Sequence, residues 1–117
     1  MSDLEIADVL DRAAAHIEKV GWLQGDLYDD YTVPRKQLTE CRVCAMGALN
    51  VALHGTPIFP LDLQPHEMTS HEIADIVRRR IDDVELADWN DAPQRSQDEV
   101  TALLRKTAAE LREEAAR

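Results

Sequence analysis

Aromatic rings are scarce in this chain: among 117 residues there are two Trp, two Tyr and one Phe. Cysteine is scarcer, with two residues close together at Cys41 and Cys44. Such a pair is no disulfide framework and points to a reducing compartment. No stretch approaches the roughly 18 apolar residues that span a bilayer, so no membrane segment is expected. The opening "MSDLEIADVL" is acidic where a secretory leader is basic. Positive charge is also short: Lys and Arg number 13 against 23 Asp and Glu, a formal net charge of −10. Phosphate backbones are bound by clustered Lys and Arg, so direct nucleic-acid binding is not expected. Neither G-x-G-x-x-G, nor a phosphate loop, nor H-E-x-x-H occurs, so no cofactor is implied. Strand signals are confined to "YTV" at 31–33 and "PIF" at 57–59, too short to count alone. What remains is a cytoplasmic protein of one domain, residues 1–117.

Helix signals are plentiful by contrast. Ser2-Asp3-Leu4-Glu5 spells a capping box, in which a hydroxyl and a carboxylate satisfy orphan amides reciprocally. Ile6, Leu10, Ala13, Ile17 and Val20 follow as one stripe, and Gly21 supplies a left-handed stop. A second helix is expected from about Thr39 to His54; it is apolar on most sides and therefore central. Thr69-Ser70-His71-Glu72 opens a third, with Ile73, Ile76, Val77, Ile81 and Val84 on one face. Asp75/Arg79, Arg78/Asp82 and Arg79/Asp83 would neutralise its outer face at spacing four. Ser96-Gln97-Asp98-Glu99 opens the last, striped by Val100, Leu103, Leu104, Ala108, Leu111 and Ala115. The fold expected is all-α: a compact four-helix bundle-like domain with one long loop, Trp22 to Leu38, between helices 1 and 2.

"CRVCAMGAL" at 41–49 invites metal or redox chemistry. Zinc needs at least three protein ligands. On a helix His54 lies ten residues beyond Cys44, about 15 Å along the axis and out of reach. His66 and His71 would have to fold back across the cap at Thr69. A redox dithiol belongs after a strand, and none is indicated. As a helix, the segment instead aligns Cys41, Cys44, Ala45, Ala48 and Ala52 on one narrow stripe of small side chains. Cysteine there is a small buried hydrophobe, and Gly47 marks a close backbone approach or a bend. No metal ligand and no catalytic residue is assigned.

Two features stand outside the bundle pattern. Arg80 falls within the apolar stripe of helix 3, where it either snorkels to the edge or pairs with an acid such as Asp91. All five rings (Trp22, Tyr28, Tyr31, Phe59 and Trp89) lie off the helical stripes. They either plug the bundle ends or form a recognition surface, since Trp and Tyr make strong contact anchors. Tyr28 and Tyr31, set among Asp26, Asp29 and Asp30, are the most available. Asn90 and Asp91 can close an Asx-turn ahead of Pro93.

Three segments taken in order, "GWLQG" at 21–25, "CRVCAMGAL" at 41–49 and "WNDAPQRSQDEV" at 89–100, resemble a small uncharacterised domain family of actinobacteria and their bacteriophages. That pattern has a Gly-Trp, a Cys-x-x-Gly-Ala helix matching Cys44 to Ala48, and a Trp-Asn-Asp turn. Cys41 is not part of it. The resemblance implies no reaction. The functional expectation is a non-enzymatic interaction protein, phage-encoded or phage-like, that binds a host protein and modulates it. Its candidate partner-binding residues are Trp22, Tyr28, Tyr31, Trp89, Asn90 and Asp91. The alternatives are an acidic nucleic-acid mimic that sequesters a DNA-binding protein, and a small metal- or redox-active protein.

Overall fold

Ser2 and Ser96 do what their spacing predicts. Each hydroxyl accepts from the amide three residues on, Glu5 at 3.2 Å and Glu99 at 3.3 Å, and each Glu reaches back to the serine amide. These boxes start α1 (Asp3–Val20) and α5 (Gln97–Ala115) in the computed structural model, which describes residues 1–32, 36–64 and 67–117. Between them lie α2 (Ala45–His54), α3 (Ser70–Arg78) and the five-residue α4 (Leu86–Asn90). Short 3₁₀ turns occupy Asp30–Thr32 and Leu38–Glu40. Among the described residues extended pairing is limited to isolated bridges, so the fold is all-α, as expected.

The apolar stripes bury one another. Ile6, Leu10, Ala13 and Ile17 of α1 meet Val100, Leu104, Ala108 and Leu111 of α5, the most extensive packing in the molecule. Leu49 of α2, Ile73 and Val77 of α3, and Leu86 of α4 complete the core. Burying each such side chain is worth about 1.5–3 kcal/mol. The ion pairs on the surface are worth about 0–1 kcal/mol each and set register more than stability. Arg105 joins Glu18 at 2.6 Å, and Arg112 joins Asp8 at 2.8 Å and Asp11 at 2.6 Å, an order that makes α1 and α5 antiparallel.

Several boundaries differ from expectation. The second helix begins at Ala45, not near Thr39. Cys44 is its N-cap in extended conformation (φ −83°, ψ 179°), its sulfur accepting from the Gly47 amide at 3.4 Å. Cys41 and Cys44 therefore do not share a helical stripe. The preceding segment is extended because Val43 is held from two sides. Its amide donates to Gly21 O at 3.2 Å and its carbonyl accepts from Leu23 N at 3.1 Å, while Arg42 O accepts from Asp29 N at 3.0 Å.

The third helix stops at Arg78. Its cap is half of the expected box: Thr69 accepts from the Glu72 amide at 3.1 Å, and Glu72 accepts from the Thr69 hydroxyl. Asp82 and Asp83 sit at φ 56° and 60°. Aspartate enters that left-handed region more readily than most residues, and two in succession turn the chain out of the helix. The expected pairs of Asp82 and Asp83 with Arg78 and Arg79 do not form. Arg78 instead meets Glu85 at 2.8 Å and Asp75 at 3.6 Å. Val84 is exposed rather than on a buried stripe.

Arg80 pairs with neither solvent alone nor Asp91. It donates to Ile76 O at 2.9 Å and meets Glu110 at 3.3 Å and Glu114 at 3.4 Å, tying the end of α3 to α5. The long connection between α1 and α2 is present as expected. It leaves α1 at Gly21 (φ 102°, ψ 163°), a conformation reserved for glycine, though not the left-handed helical stop foreseen.

Candidate functional site

Asn90 is fully buried and fully used. Its Oδ1 accepts from Trp22 Nε1 at 2.8 Å and from the Ala45 amide at 3.0 Å. Its Nδ2 donates to Leu23 O at 3.1 Å and to Asp91 Oδ1 at 2.9 Å. One side chain thus joins the α1–α2 loop, the first amide of α2 and the end of α4. Neighbouring bonds reinforce the knot: Gln24 Nε2 donates to Asn90 O and Ala92 O, and Gly25 N donates to Asp91 Oδ1 at 3.0 Å. Asn90 and Asp91 do not make the expected local Asx-turn. Asn90 ends α4 and Asp91 caps it, and their side chains reach across 45 to 68 residues instead.

Gly47 shows how tightly the knot is drawn. A Cβ there would collide with the Leu27 carbonyl oxygen and lie 3.1 Å from its carbon. The same carbonyl accepts from Cys44 N at 3.3 Å. Of the two roles open to this glycine, close backbone approach is the one observed.

One face of the knot is concave. A cleft of about 290 Å³ opens between the Gly25–Leu27 loop, the start of α2, α3 and α4. Cys44, Met46, Ala74 and Leu86, all buried, form its floor together with half-buried Leu27. Phe59 and His71, both lining it, stack on each other at 4.9 Å between centroids and 8° between planes. Exposed Asp26, Asp75, Glu85 and Asp91 stand around the mouth. No Lys or Arg is among the described lining residues.

The electrostatics disfavour a thiol nucleophile. Burial pushes the Cys44 thiol above its ordinary value, with Asp91 adding to the shift and the Gly47 amide opposing it. A reactive cysteine needs the reverse. Nearby, Arg42 holds the Asp29 carboxyl below its usual value through bonds at 2.7 and 3.2 Å. Among the described residues no group of three His, Cys, Asp or Glu is placed to hold a metal ion. His66, weighed as a ligand from sequence, lies outside the described residues.

The sequence-selected residues divide. Trp22, Asn90 and Asp91 come together, Asn90 as an interior strut, half-buried Trp22 bonded to it and Asp91 at the cleft mouth. Tyr28 is half-buried and bridges to Val43. Trp89 is half-buried beneath Arg95, whose Cζ stands 3.7 Å from the ring centroid while its Nε donates to Trp89 O. Tyr31 is 92% exposed, the most open ring of the five.

The three segments that form the knot are the ones that stood out in order along the sequence, and they lie within a single matched region. Residues 1–110 match the profile of DUF6197, described as a family of unknown function. The chain belongs to the DUF6197 family. No curated protein and no solved structure gives a match.

In this DUF6197 chain the cleft residues Leu27, Met46, Phe59, His71, Ala74, Glu85 and Leu86 were not singled out from sequence as a site. Little could have revealed them. They are ordinary helix and loop residues drawn from five separate segments. The one usable signal was Phe59, a ring off every helical stripe.

Proposed function

We propose that this DUF6197 protein is a non-enzymatic interaction module that binds a partner protein through the face carrying the α1–α2 loop and the cleft. The observation that carries this reading is the cleft itself, an apolar floor ringed by carboxylates on the rigid junction of three segments. Rigid junctions of this kind hold recognition surfaces at low entropic cost. Tyr31, open to solvent on the same loop, supplies a contact anchor. The elevated Cys44 thiol fits a structural rather than a reactive sulfur. The three motifs support an origin in actinobacteria or their phages, with a host-cytoplasmic protein as the target whose activity is modulated.

The acidic surface favours this reading over nucleic-acid mimicry. A mimic needs carboxylates presented like phosphates, yet Asp8, Asp11, Glu18, Glu99, Glu110 and Glu114 are engaged by arginines. The test is affinity capture from actinobacterial lysate with wild type and a Tyr31→Ala/Asp26→Asn variant, both at exposed positions. A partner retained by wild type and weakened about tenfold or more by the variant is expected, since hot-spot residues carry at least 1–2 kcal/mol. Equal capture by both would sink the assignment of this face.

A further inference from the structure

We propose that the cleft seats an arginine side chain presented by the partner protein. This rests on the interaction reading and names its central contact. Size comes first. Ligand pockets for drug-sized molecules run from about 300 to 1,000 Å³, so a cleft of about 290 Å³ suits one or two side chains. Chemistry comes second. The apolar floor takes a methylene stem, and the mouth takes a cation. An acid is repelled by the uncompensated carboxylates, and a purely apolar residue leaves Asp26 and Asp91 without a partner.

Arginine fits better than lysine for two reasons. The Phe59–His71 stack puts two rings in the lining, and a guanidinium packs on aromatic rings where a strongly hydrated ammonium loses more water. Two of the four carboxylates already hold a guanidinium from outside the lining: Arg78 of this chain reaches Glu85 at 2.8 Å and Asp75 at 3.6 Å. The other two carboxylates are uncompensated. Among the described residues, Asp26 and Asp91 have no cationic partner. Asp91 receives both its bonds, from Gly25 and Asn90, on Oδ1, leaving Oδ2 open. The two bonds fix the Asp91 carboxylate in place, so an incoming fork meets an ordered acceptor. The net charge of −10 steers a basic segment toward the surface.

The test uses the full chain, labelled with nitrogen-15, and three capped tripeptides: Ac-Ala-Arg-Ala-NH₂, its lysine counterpart and its citrulline counterpart. Citrulline keeps the shape and removes the charge. The expected result is saturable shifts at the Gly25, Leu27, Ala74 and Ala87 amides with the arginine peptide. Affinity should fall about tenfold or more with citrulline and less with lysine, the range of a charge-assisted bond against a neutral one. Ala87→Leu, which fills the mouth from an exposed position, and Asp26→Asn should each weaken it. Equal binding of the citrulline peptide, no saturable shift, or unchanged binding by both variants overturns the proposal. The two readings fail separately. Tyr31-dependent capture of a partner by a cleft that ignores arginine removes only the arginine seat. Saturation by the arginine peptide without any captured partner removes the interaction reading and leaves the seat.

Discussion

At the scale of single residues, Asn90 and Gly47 decide the local structure for opposite reasons. Asn90 is needed for what it bonds. Replacing it with alanine strands the buried Ala45 amide and removes the partner of the half-buried Trp22 N–H and Leu23 carbonyl. A buried orphan costs about 1–3 kcal/mol and the two part-buried groups less, so Asn90→Ala should lower stability by about 2–3 kcal/mol in urea unfolding. A change near zero would mean that water satisfies the knot. Gly47 is needed for what it lacks. Alanine gains about 1 kcal/mol in helix propensity, but its Cβ meets Leu27 backbone that is itself bonded to Cys44. Overpacking costs about 1–3 kcal/mol, and a clash with bonded backbone lies at the upper end, so Gly47→Ala should destabilise by about 2 kcal/mol net. Stabilisation would show that the Leu27 loop yields freely.

At the scale of elements, the ends of helices matter more than their middles. α2 starts at Cys44 because a sulfur, a poor substitute for a hydroxyl, accepts from Gly47 while Asn90 Oδ1 takes the Ala45 amide. α3 ends early, and Arg80 then fastens that end to α5. Its side chain is 18% exposed, while Glu110 and Glu114 are 36% and 51% exposed. A fully buried pair broken by removing one partner costs about 3–5 kcal/mol. Here the two carboxylates can rehydrate, and Arg80→Met keeps the apolar stem, so a loss of about 1 kcal/mol is expected. The measurement is urea unfolding at low and high salt. A loss above 3 kcal/mol, independent of salt, would show a buried pair instead.

At the scale of the molecule, charge links stability to pH. His16 is held below its ordinary value of 6.5, first by burial and then by Lys19. A depressed base binds fewer protons folded than unfolded, so its contribution is full above 6.5 and is lost as pH falls toward its folded value. Asp29, Glu18 and Glu99 are held low chiefly by bonds from Arg42, Arg105 and Arg95, and Glu5 by its bonds to Ser2. Their contribution is present above the ordinary carboxylate range and is lost as pH falls through the depressed values. Unfolding midpoints should therefore decline in two stages, one beginning near pH 6.5 and one below about 4. His16→Gln should remove the first stage alone. A midpoint that stays level from pH 7 to 5 in wild type would contradict this sign.

Much of the architecture was legible because it depends on local chemistry. Ser2 with Glu5 and Ser96 with Glu99 are cap signals acting over three residues, and the stripes of α1 and α5 follow from helical period. The extent of α2 was not legible. Its apolar spelling continues back through Cys41, and bonds from Val43 to Gly21 and Leu23, from Arg42 to Asp29 and from Cys44 to Leu27 hold that segment out of the helix. Arg80 stood out from sequence as a break in a stripe, but its partners lie thirty and more residues on, and nothing local names them.

The amino-acid sequence by itself determined the helical class, the two long helices, the long loop between α1 and α2, and the acidic balance. Each of these is a short-range or compositional property. Tertiary structure alone decided that Asn90 would be an interior strut and Asp91 part of a cleft mouth. It also decided that residues from five segments, never grouped by the sequence, would share one concavity. The physical reason is that a buried polar group takes whichever partner the packing of distant elements brings within bonding distance, and a cleft is the space that the same packing leaves unfilled.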